Sequence, residues 1–150
     1  LWEKVQPGDA IEISLPAGDL VLDTKSDDPV VLISAGIGAT PMIGMLDALV
    51  AADSKRDVVV LHADRAENTD ALRAERNNAV SALANARQQV WYEPDLMNLA
   101  DTELPEGAQF YLCGGNGFLQ AIRQQLADRG IDRNNVHFEL FSPNDWLLDA

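Results

Sequence analysis

The sequence has little cysteine, few basic residues and no long apolar run. Its 150 residues include one cysteine, Cys113, which cannot form a disulfide within the chain and suits a reducing cytoplasm. No apolar stretch approaches the ~20 residues that a membrane-spanning helix needs, so no membrane location is expected. The net charge of −13, from 24 acidic and 11 basic residues, argues against nucleic acid or an anionic membrane surface as a partner.

The sequence also lacks the short spacings that are typical of metal ligands. Its two histidines, His62 and His137, lie far apart along the chain, and Cys113 is close to neither of them. We therefore predict no metal site. We expect both histidines to face the core or the strand ends rather than to take part in catalysis.

The organising element of the chain is a predicted strand, a glycine turn and a helix start. Residues 30–34, VVLIS, form a nearly continuous apolar run, which is typical of a parallel strand buried on both faces. Gly36 and Gly38 make the turn, Thr40 is placed to cap the helix or contact a ligand, and Pro41 suits the first helical position. This arrangement presents backbone N–H groups to an anion, for which a phosphate is expected. Since Pro41 replaces the third glycine of the dinucleotide fingerprint, glycines needed only for a tight turn remain the alternative.

Behind this element, the pattern alternates between strand and helix. The predicted strands cover residues 30–34, 58–63, 88–92, 109–113 and 136–140, and the predicted helices cover residues 41–52, 69–86 and 117–129. Asn68, Thr69 or Asp70 is expected to cap the second helix, and one helical turn is expected around residues 96–99. The alternation predicts an α/β fold, a doubly wound and mostly parallel Rossmann-like sheet with right-handed crossovers.

The first 28 residues follow a different pattern. Residues 10–15 alternate, with Ile11, Ile13 and Leu15 on one face, and residues 20–22 form a second short apolar run. Two short strands cannot make a core alone. We therefore expect residues 1–28 to be the C-terminal edge of a larger β-domain, and residues 29–150 to be the α/β domain.

Three predicted loops meet at one edge of the sheet. In a doubly wound sheet, ligands bind outside the carboxyl ends of the strands, near the point where the strand order reverses. The candidate binding residues in these loops are Gly36, Gly38, Thr40 and Pro41, then Asp64 and Arg65, then Cys113, Gly114 and Gly115. Arg65 can stack on adenine or contact a phosphate, whereas Asp64 can accept a hydrogen bond from a ribose hydroxyl and would repel a 2′-phosphate.

Several of these candidates also have a purely structural explanation. Asp64 and Arg65 can be solvated loop charges. Cys113 can be a small buried hydrophobic residue, since no histidine is placed to activate it as a nucleophile. Phe141, after the last strand, either packs in the core or offers an aromatic face to a flat cofactor, with Glu139 as a polar contact beside it.

Three motifs carry a resemblance to a known family: GIGATP at 36–41, YLCGG at 111–115 and HFELFSP at 137–143. In order and spacing they resemble the nicotinamide-binding half of the ferredoxin–NADP reductase superfamily. PAGD at 16–19 and HADRAEN at 62–68 are similar to the C-terminal reductase module of flavohaemoglobins, the nitric oxide dioxygenases. The resemblance covers essentially the whole chain.

The resemblance implies a function and a set of cofactors. In that family a reduced nicotinamide nucleotide gives a hydride to FAD, and electrons then pass singly to the haem of a globin domain, where nitric oxide becomes nitrate. By position, Gly36, Gly38 and Thr40 would hold the nicotinamide and pyrophosphate, and Asp64 and Arg65 would lie near the adenosine. Catalytic roles would fall to Cys113 and Glu139. Gly114 and Gly115 would border the nicotinamide, and Phe141 would face the isoalloxazine.

The family also defines what this chain lacks. Two positions depart from the family pattern: glycine at position 115 replaces the usual proline, and Asp70 stands where flavohaemoglobins often carry a histidine. The family's arginine-containing FAD motif would lie upstream of residue 1. The resemblance therefore implies that residues 1–28 are the edge of an FAD-binding barrel and that this chain alone is inactive.

NADH is slightly favoured over NADPH because of Asp64. The alternatives are the reductase component of an oxygenase or ferredoxin system, and a non-catalytic nucleotide-binding regulatory module.

Overall fold

A sheet of five parallel strands forms the centre of the computed structural model, which describes residues 4–15 and 17–140. The strands and α-helices, in chain order, are β1 (Val30–Ala35), α1 (Ala39–Ala51), β2 (Val58–Asp64), α2 (Arg73–Ala82), β3 (Ala86–Tyr92), β4 (Gln109–Gly114), α3 (Asn116–Asp128) and β5 (Val136–Leu140). Two short 3-10 turns, Gly36–Gly38 and Arg133–Asn135, precede α1 and β5. The predicted α/β alternation is confirmed.

The strand order is β3-β2-β1-β4-β5, and every neighbouring pair is parallel. From the central strand β1, the chain moves outward through β2 and β3, and then returns to the other side of β1 to add β4 and β5. The order therefore reverses between β1 and β4, where Ser34 lies opposite Cys113. The doubly wound topology is confirmed, and the loops after β1, β2 and β4 emerge at one edge.

The helices cover both faces of the sheet. Val30 and Leu32 of β1 belong to a cluster that packs against α1 and α2, whereas Val31 and Ile33 belong to a cluster that packs against α3. All four side chains are completely buried. A strand that alternates between two buried faces must be apolar at almost every position, which is why VVLIS predicts a central strand.

The start of α1 differs from the prediction. The helix begins at Ala39, so Pro41 is its third residue, and its missing N–H still costs no intrahelical hydrogen bond. Thr40 does not cap the helix: its hydroxyl donates to the carbonyl oxygen of Ile37 at 2.9 Å, inside the 3-10 turn. The turn itself therefore leads directly into the helix.

The second helix is shorter than predicted. It begins at Arg73 after Leu72, which makes no side-chain cap, and it ends at Ala82. The predicted cap is wrong because Thr69 and Asp70 are engaged elsewhere: the Thr69 hydroxyl lies 2.6 Å from an Asp64 carboxylate oxygen, and Asp70 is buried.

The predicted helical turn around residues 96–99 is also wrong. Met97 and Leu99 are buried in an irregular segment whose backbone bonds to the side chain of Gln125 in α3. Leu99 N–H donates to Gln125 Oε1 at 2.7 Å, and the Gln125 amide donates to the Met97 carbonyl at 3.2 Å. A side chain thus satisfies the polar groups that a helix would have satisfied internally.

The predicted N-terminal strands at Ala10–Leu15 and Leu20–Leu22 do not form among the described residues. Ile11, Ile13 and Leu15 are 60%, 80% and 87% exposed, because the described chain offers no neighbouring strand to pair with them. Leu22, by contrast, is buried in the core cluster of α1 and α2. The polar segment 23–28 follows Leu22. Arg56 holds both ends of this segment, because it donates hydrogen bonds to the carbonyl oxygens of Asp23 and Asp28.

None of the helices in the described part of the chain has both the length and the apolarity needed to cross a lipid bilayer.

Candidate functional site

A cavity of about 750 Å³ opens at the carboxyl ends of β1 and β2, next to the first turns of α3. This size is within the range of small-molecule and cofactor sites. Its walls combine aliphatic and aromatic side chains, among them Ile37, Leu72 and Phe118, with four charged residues: Asp64, Arg65, Glu93 and Asp95. The arrangement therefore suits a ligand with both flat apolar and charged or hydroxylated parts.

The two glycines after β1 have different surroundings. Gly36 lines the cavity with φ +52°, a left-handed conformation that favours glycine, and a Cβ built there meets no atom within 4 Å. Gly38 is buried, and a Cβ there would lie 2.4 Å from the carbonyl oxygen of Cys113. Gly36 therefore presents bare backbone to open space, whereas Gly38 allows the turn to pack against the end of β4. Neither Thr40 nor Pro41 lines the cavity.

The candidate binding residues at the end of β4 do not line the cavity either. Cys113 and Gly114 are buried, whereas Gly115 is exposed. Burial, with a smaller contribution from the negative charge of Glu139, raises the pKa of the Cys113 thiol to about 12. At neutral pH this residue is a protonated, inert thiol, as the structural explanation expects.

The two residues predicted at the end of β5 are Glu139 and Phe141. Glu139 is exposed and lies opposite Cys113 in the strand register. Phe141 lies outside the described residues. The catalytic assignment of Cys113 and Glu139 and the flavin contact of Phe141 remain predictions.

Asp64 and Arg65 both line the cavity, at the end of β2. Asp64 Oδ1 accepts hydrogen bonds from the Arg65 N–H at 2.7 Å and from the Thr69 hydroxyl at 2.6 Å. These two bonds fix the carboxylate at the cavity wall, while Arg65 is exposed. The pair thus places one negative and one positive group at the same mouth of the site.

A buried polar network lies behind Asp64, between the sheet and α2. His62 Nδ1 is 2.8 Å from the Ser34 hydroxyl, and Arg76 donates two hydrogen bonds to Asp70, at 2.9 and 2.6 Å. The Tyr92 hydroxyl donates to Asp70 Oδ2 at 3.0 Å. The expectation that His62 faces the core or a strand end agrees with its complete burial in β2.

The protonation states in this network follow from burial and from Arg76. Burial, supported by the positive charge of Arg76, lowers the pKa of His62, so the imidazole is neutral at neutral pH. Burial alone would raise the pKa of Asp70, but the hydrogen bonds and charge of Arg76 outweigh it and lower that pKa. The network therefore contains a neutral histidine beside an ionised, paired carboxylate.

Most of the cavity wall and the buried polar network could not be predicted from the sequence. Leu72 and Phe118 line the cavity from the residue before α2 and from α3, and neither belongs to a motif. Asp70 and Arg76 look like two charges near a helix start, and only the packing of α2 on the sheet shows that they are 1% and 2% exposed partners.

Comparison with known proteins identifies relatives of the chain. Residues 32–103 match the family described as "Oxidoreductase NAD-binding domain". The chain is 36% identical over 166 residues to the flavohemoprotein of Bacillus subtilis, an alignment that covers 100% of this chain and 42% of that protein. The chain thus spans about two-fifths of the length of that relative.

Two solved structures share the fold. The flavohemoglobin of Malassezia yamatoensis, solved with bound FAD and heme, superposes with a TM-score of 0.81 at 29% identity, over 86% of this chain and 36% of that one. The flavohem-like FAD/NAD-binding domain of nitric oxide dioxygenase from Vibrio cholerae gives a TM-score of 0.79 at 36% identity, over 85% of this chain and 56% of that one. Both likenesses agree with the resemblance that the motifs carry.

Proposed function

This chain belongs to the ferredoxin–NADP reductase superfamily, among relatives of the reductase part of flavohemoproteins, and we propose that it is the NAD(P)H-binding module of a flavin-dependent oxidoreductase. A nicotinamide nucleotide held here would supply the hydride that a flavin accepts. The chain's own residues hold and orient the nucleotide. Because the module carries only part of the expected site, we expect the chain alone to turn over substrate slowly or not at all.

One observation carries this proposal: the cavity lies at the edge where the strand order reverses, with Gly36 open to it and Asp64 and Arg65 at its mouth. Parallel sheets of this topology bind nucleotides at that edge. Gly36 lets backbone approach a phosphate closely. The apolar walls suit an adenine ring, against which Arg65 can stack.

We propose that NADH is preferred over NADPH. The Asp64 carboxylate is held at the cavity wall by Arg65 N–H and Thr69, in a position to accept a hydrogen bond from a ribose hydroxyl. A 2′-phosphate in the same place would meet a like charge, which is costly when partly desolvated. The positive charge of Arg65 would favour a 2′-phosphate, but Arg65 is exposed, so solvent screens its charge.

We also propose partners for the module. Residues 1–28 would complete the edge of an FAD-binding barrel in a longer parent chain, whose strands would cover the exposed Ile11, Ile13 and Leu15. The parent would pass electrons to the haem of a globin domain, giving nitric oxide dioxygenase activity. A cytoplasmic location fits a chain whose one cysteine is a buried thiol.

The test is a calorimetric titration of the chain with NADH and with NADPH, each with and without FAD. We expect saturable binding that favours NADH. Asp64→Asn should reduce the preference about tenfold, which corresponds to ~1.4 kcal/mol. Asp47→Asn, on the exposed side of α1, is the matched control and should leave it unchanged. Binding of neither nucleotide would refute the proposal, and an unchanged preference in Asp64→Asn would refute the role of that residue.

A further inference from the structure

Three potential metal ligands converge behind the cavity, although they are spread over nine residues of sequence. They are His62 and Asp64 of β2 and Asp70 of the loop before α2, and one donor atom from each lies within 4.8 Å of the others. His62 is completely buried, and its Nε2 atom has no hydrogen-bond partner among the described residues. An unpartnered buried nitrogen is costly unless something else satisfies it.

The distances from Nε2 to the two carboxylates leave room for a shared ion. Nε2 lies 3.4 Å from Asp70 Oδ1 and 3.7 Å from Asp64 Oδ2, longer than the usual N–H···O range. Two donors on one tetrahedral zinc ion lie about 3.3–3.5 Å apart, because each is ~2.0–2.2 Å from the metal. All three donor atoms lie within 4.8 Å of one another, so the carboxylates would have to move closer together for one ion to contact all three.

The surrounding residues orient the donors as the outer shell of a metal site does. The Ser34 hydroxyl lies 2.8 Å from His62 Nδ1, and when Nδ1–H donates to it, Nε2 presents the lone pair that binds metals. Arg76 and Tyr92 fix the Asp70 carboxylate. Arg76 uses only one of the two lone pairs on Oδ1, which leaves the other for an ion.

We propose that His62, Asp64 and Asp70 bind a divalent transition-metal ion of the Zn²⁺ type through Nε2 and one oxygen of each carboxylate. An imidazole with two carboxylates suits Zn²⁺, whereas Mg²⁺ and Ca²⁺ prefer oxygen ligands alone. Asp64 also lines the cavity, which gives the ion a route from solvent. The site shares Asp64 with the nucleotide cavity, but its test uses no nucleotide, so its outcome is separate from that of the proposed function.

The test is a calorimetric titration of the untagged, EDTA-treated and desalted chain with Zn²⁺ in the absence of nucleotide. We expect one site per chain, and His62→Gln should weaken binding at least about 100-fold, since it removes the nitrogen ligand. His137→Gln is the matched control: its Nε2 lies 3.0 Å from Gln109 Oε1, outside the cluster, and Zn²⁺ affinity should not change. The proposal is overturned if the parent chain and His62→Gln bind Zn²⁺ with equal affinity, or if the parent chain does not bind Zn²⁺.

Two further measurements keep the test decisive if His62→Gln folds poorly. Ser34→Ala leaves all three ligands in place but removes the contact to Nδ1, and should weaken Zn²⁺ binding about tenfold. Co²⁺ added to the parent chain should give the visible absorption of a tetrahedral site, and Asp64→Asn should abolish it. A Co²⁺ spectrum that is octahedral, or identical in Asp64→Asn, contradicts the assignment.

Discussion

Gly36 and Gly38, two residues apart in one turn, serve different purposes. A Cβ at Gly38 would lie 2.4 Å from the Cys113 carbonyl oxygen and 3.0 Å from the Gly114 nitrogen, both backbone atoms that cannot move independently. Gly38→Ala should therefore lower the free energy of unfolding by about 1–3 kcal/mol, as overpacking does. Urea denaturation followed by circular dichroism measures the change.

Gly44→Ala is the matched control for that substitution. Gly44 is an exposed residue within α1, and a Cβ there meets no atom within 4 Å. Alanine should raise the free energy of unfolding by about 0.5–1 kcal/mol because it favours the helix. If Gly38→Ala proves as stable as Gly44→Ala, the turn does not pack as closely against β4 as this prediction requires.

The buried thiol of Cys113 should be unreactive in the folded chain. Its pKa is raised to about 12, so at pH 8 almost none of it is thiolate, whereas in the unfolded chain the pKa returns to about 8.5. Iodoacetamide at pH 8 should label the chain in urea and leave it unlabelled in buffer. Equal labelling rates in the two conditions would show that Cys113 is accessible.

The same shift has a consequence for stability at high pH. Because the folded-state pKa is above the unfolded one, the stabilisation is complete below pH ~8.5 and is lost as the pH rises toward the folded value. The stability difference between the parent chain and Cys113→Ala should therefore shrink above pH ~8.5, by at most about 1.4 kcal/mol per pH unit. A difference that stays constant from pH 7 to pH 10 would contradict the shift.

Among the secondary-structure elements, α2 is joined to the loop before it by a buried ion pair, and hydrogen bonds connect this pair to β3. Arg76 and Asp70 are 2% and 1% exposed, and Arg76 Nε also donates to Gln88 of β3 at 3.0 Å. Arg76→Met leaves Asp70 without its main partner and should cost about 3–5 kcal/mol in the free energy of unfolding.

The neighbouring pair Arg73–Glu67 offers the comparison. These side chains are 44% and 61% exposed, so Arg73→Met should cost less than about 1 kcal/mol. Chemical denaturation of both variants measures the contrast. Equal losses in the two variants would mean that burial does not decide the strength of these pairs.

The elements also show which signals in a sequence predict a fold. Strand β1 could be predicted because burial on both faces demands an uninterrupted apolar run. The start of α2 could not be predicted, because Asp70 resembles a helix cap in the sequence. In the structure, tertiary packing brings Arg76 to Asp70, and the two side chains bond to each other instead. Likewise, the segment around Met97 and Leu99 is apolar enough for a helix, but Gln125 satisfies its backbone instead.

In the whole molecule, the N-terminal segment has an exposed part before Leu20 and a part after it that packs against the core. The side chains of Ile11 and Ile13 are exposed, so replacing both with serine should change the free energy of unfolding of this chain by less than about 0.5 kcal/mol. Leu22 is 7% exposed in the core, and Leu22→Ala should cost about 2–5 kcal/mol. A large loss from the serine variant in urea denaturation would show that the segment already packs on this domain.

The location of the site could be predicted from topology, whereas its wall could not. Glycines and charges after apolar strands mark the edge of the sheet, and Gly36, Asp64 and Arg65 do line the cavity. Leu72 and Phe118 reach it only through the packing of loop and helix, which no local pattern records. The roles of Cys113 and Glu139 beside a flavin stay predictions.

Nucleotide binding at the carboxyl edge of the sheet can be tested by an amide ¹H–¹⁵N NMR titration of the chain with NADH. We expect the largest changes in chemical shift at Gly36, Arg65 and Gly117, which line the cavity at the carboxyl edge of the sheet. Arg123 and Phe138, which line a separate groove of about 570 Å³ between α3 and β5, should be unaffected. Changes confined to that groove, or no changes at saturating NADH, would contradict the claim that this edge of the sheet binds the nucleotide.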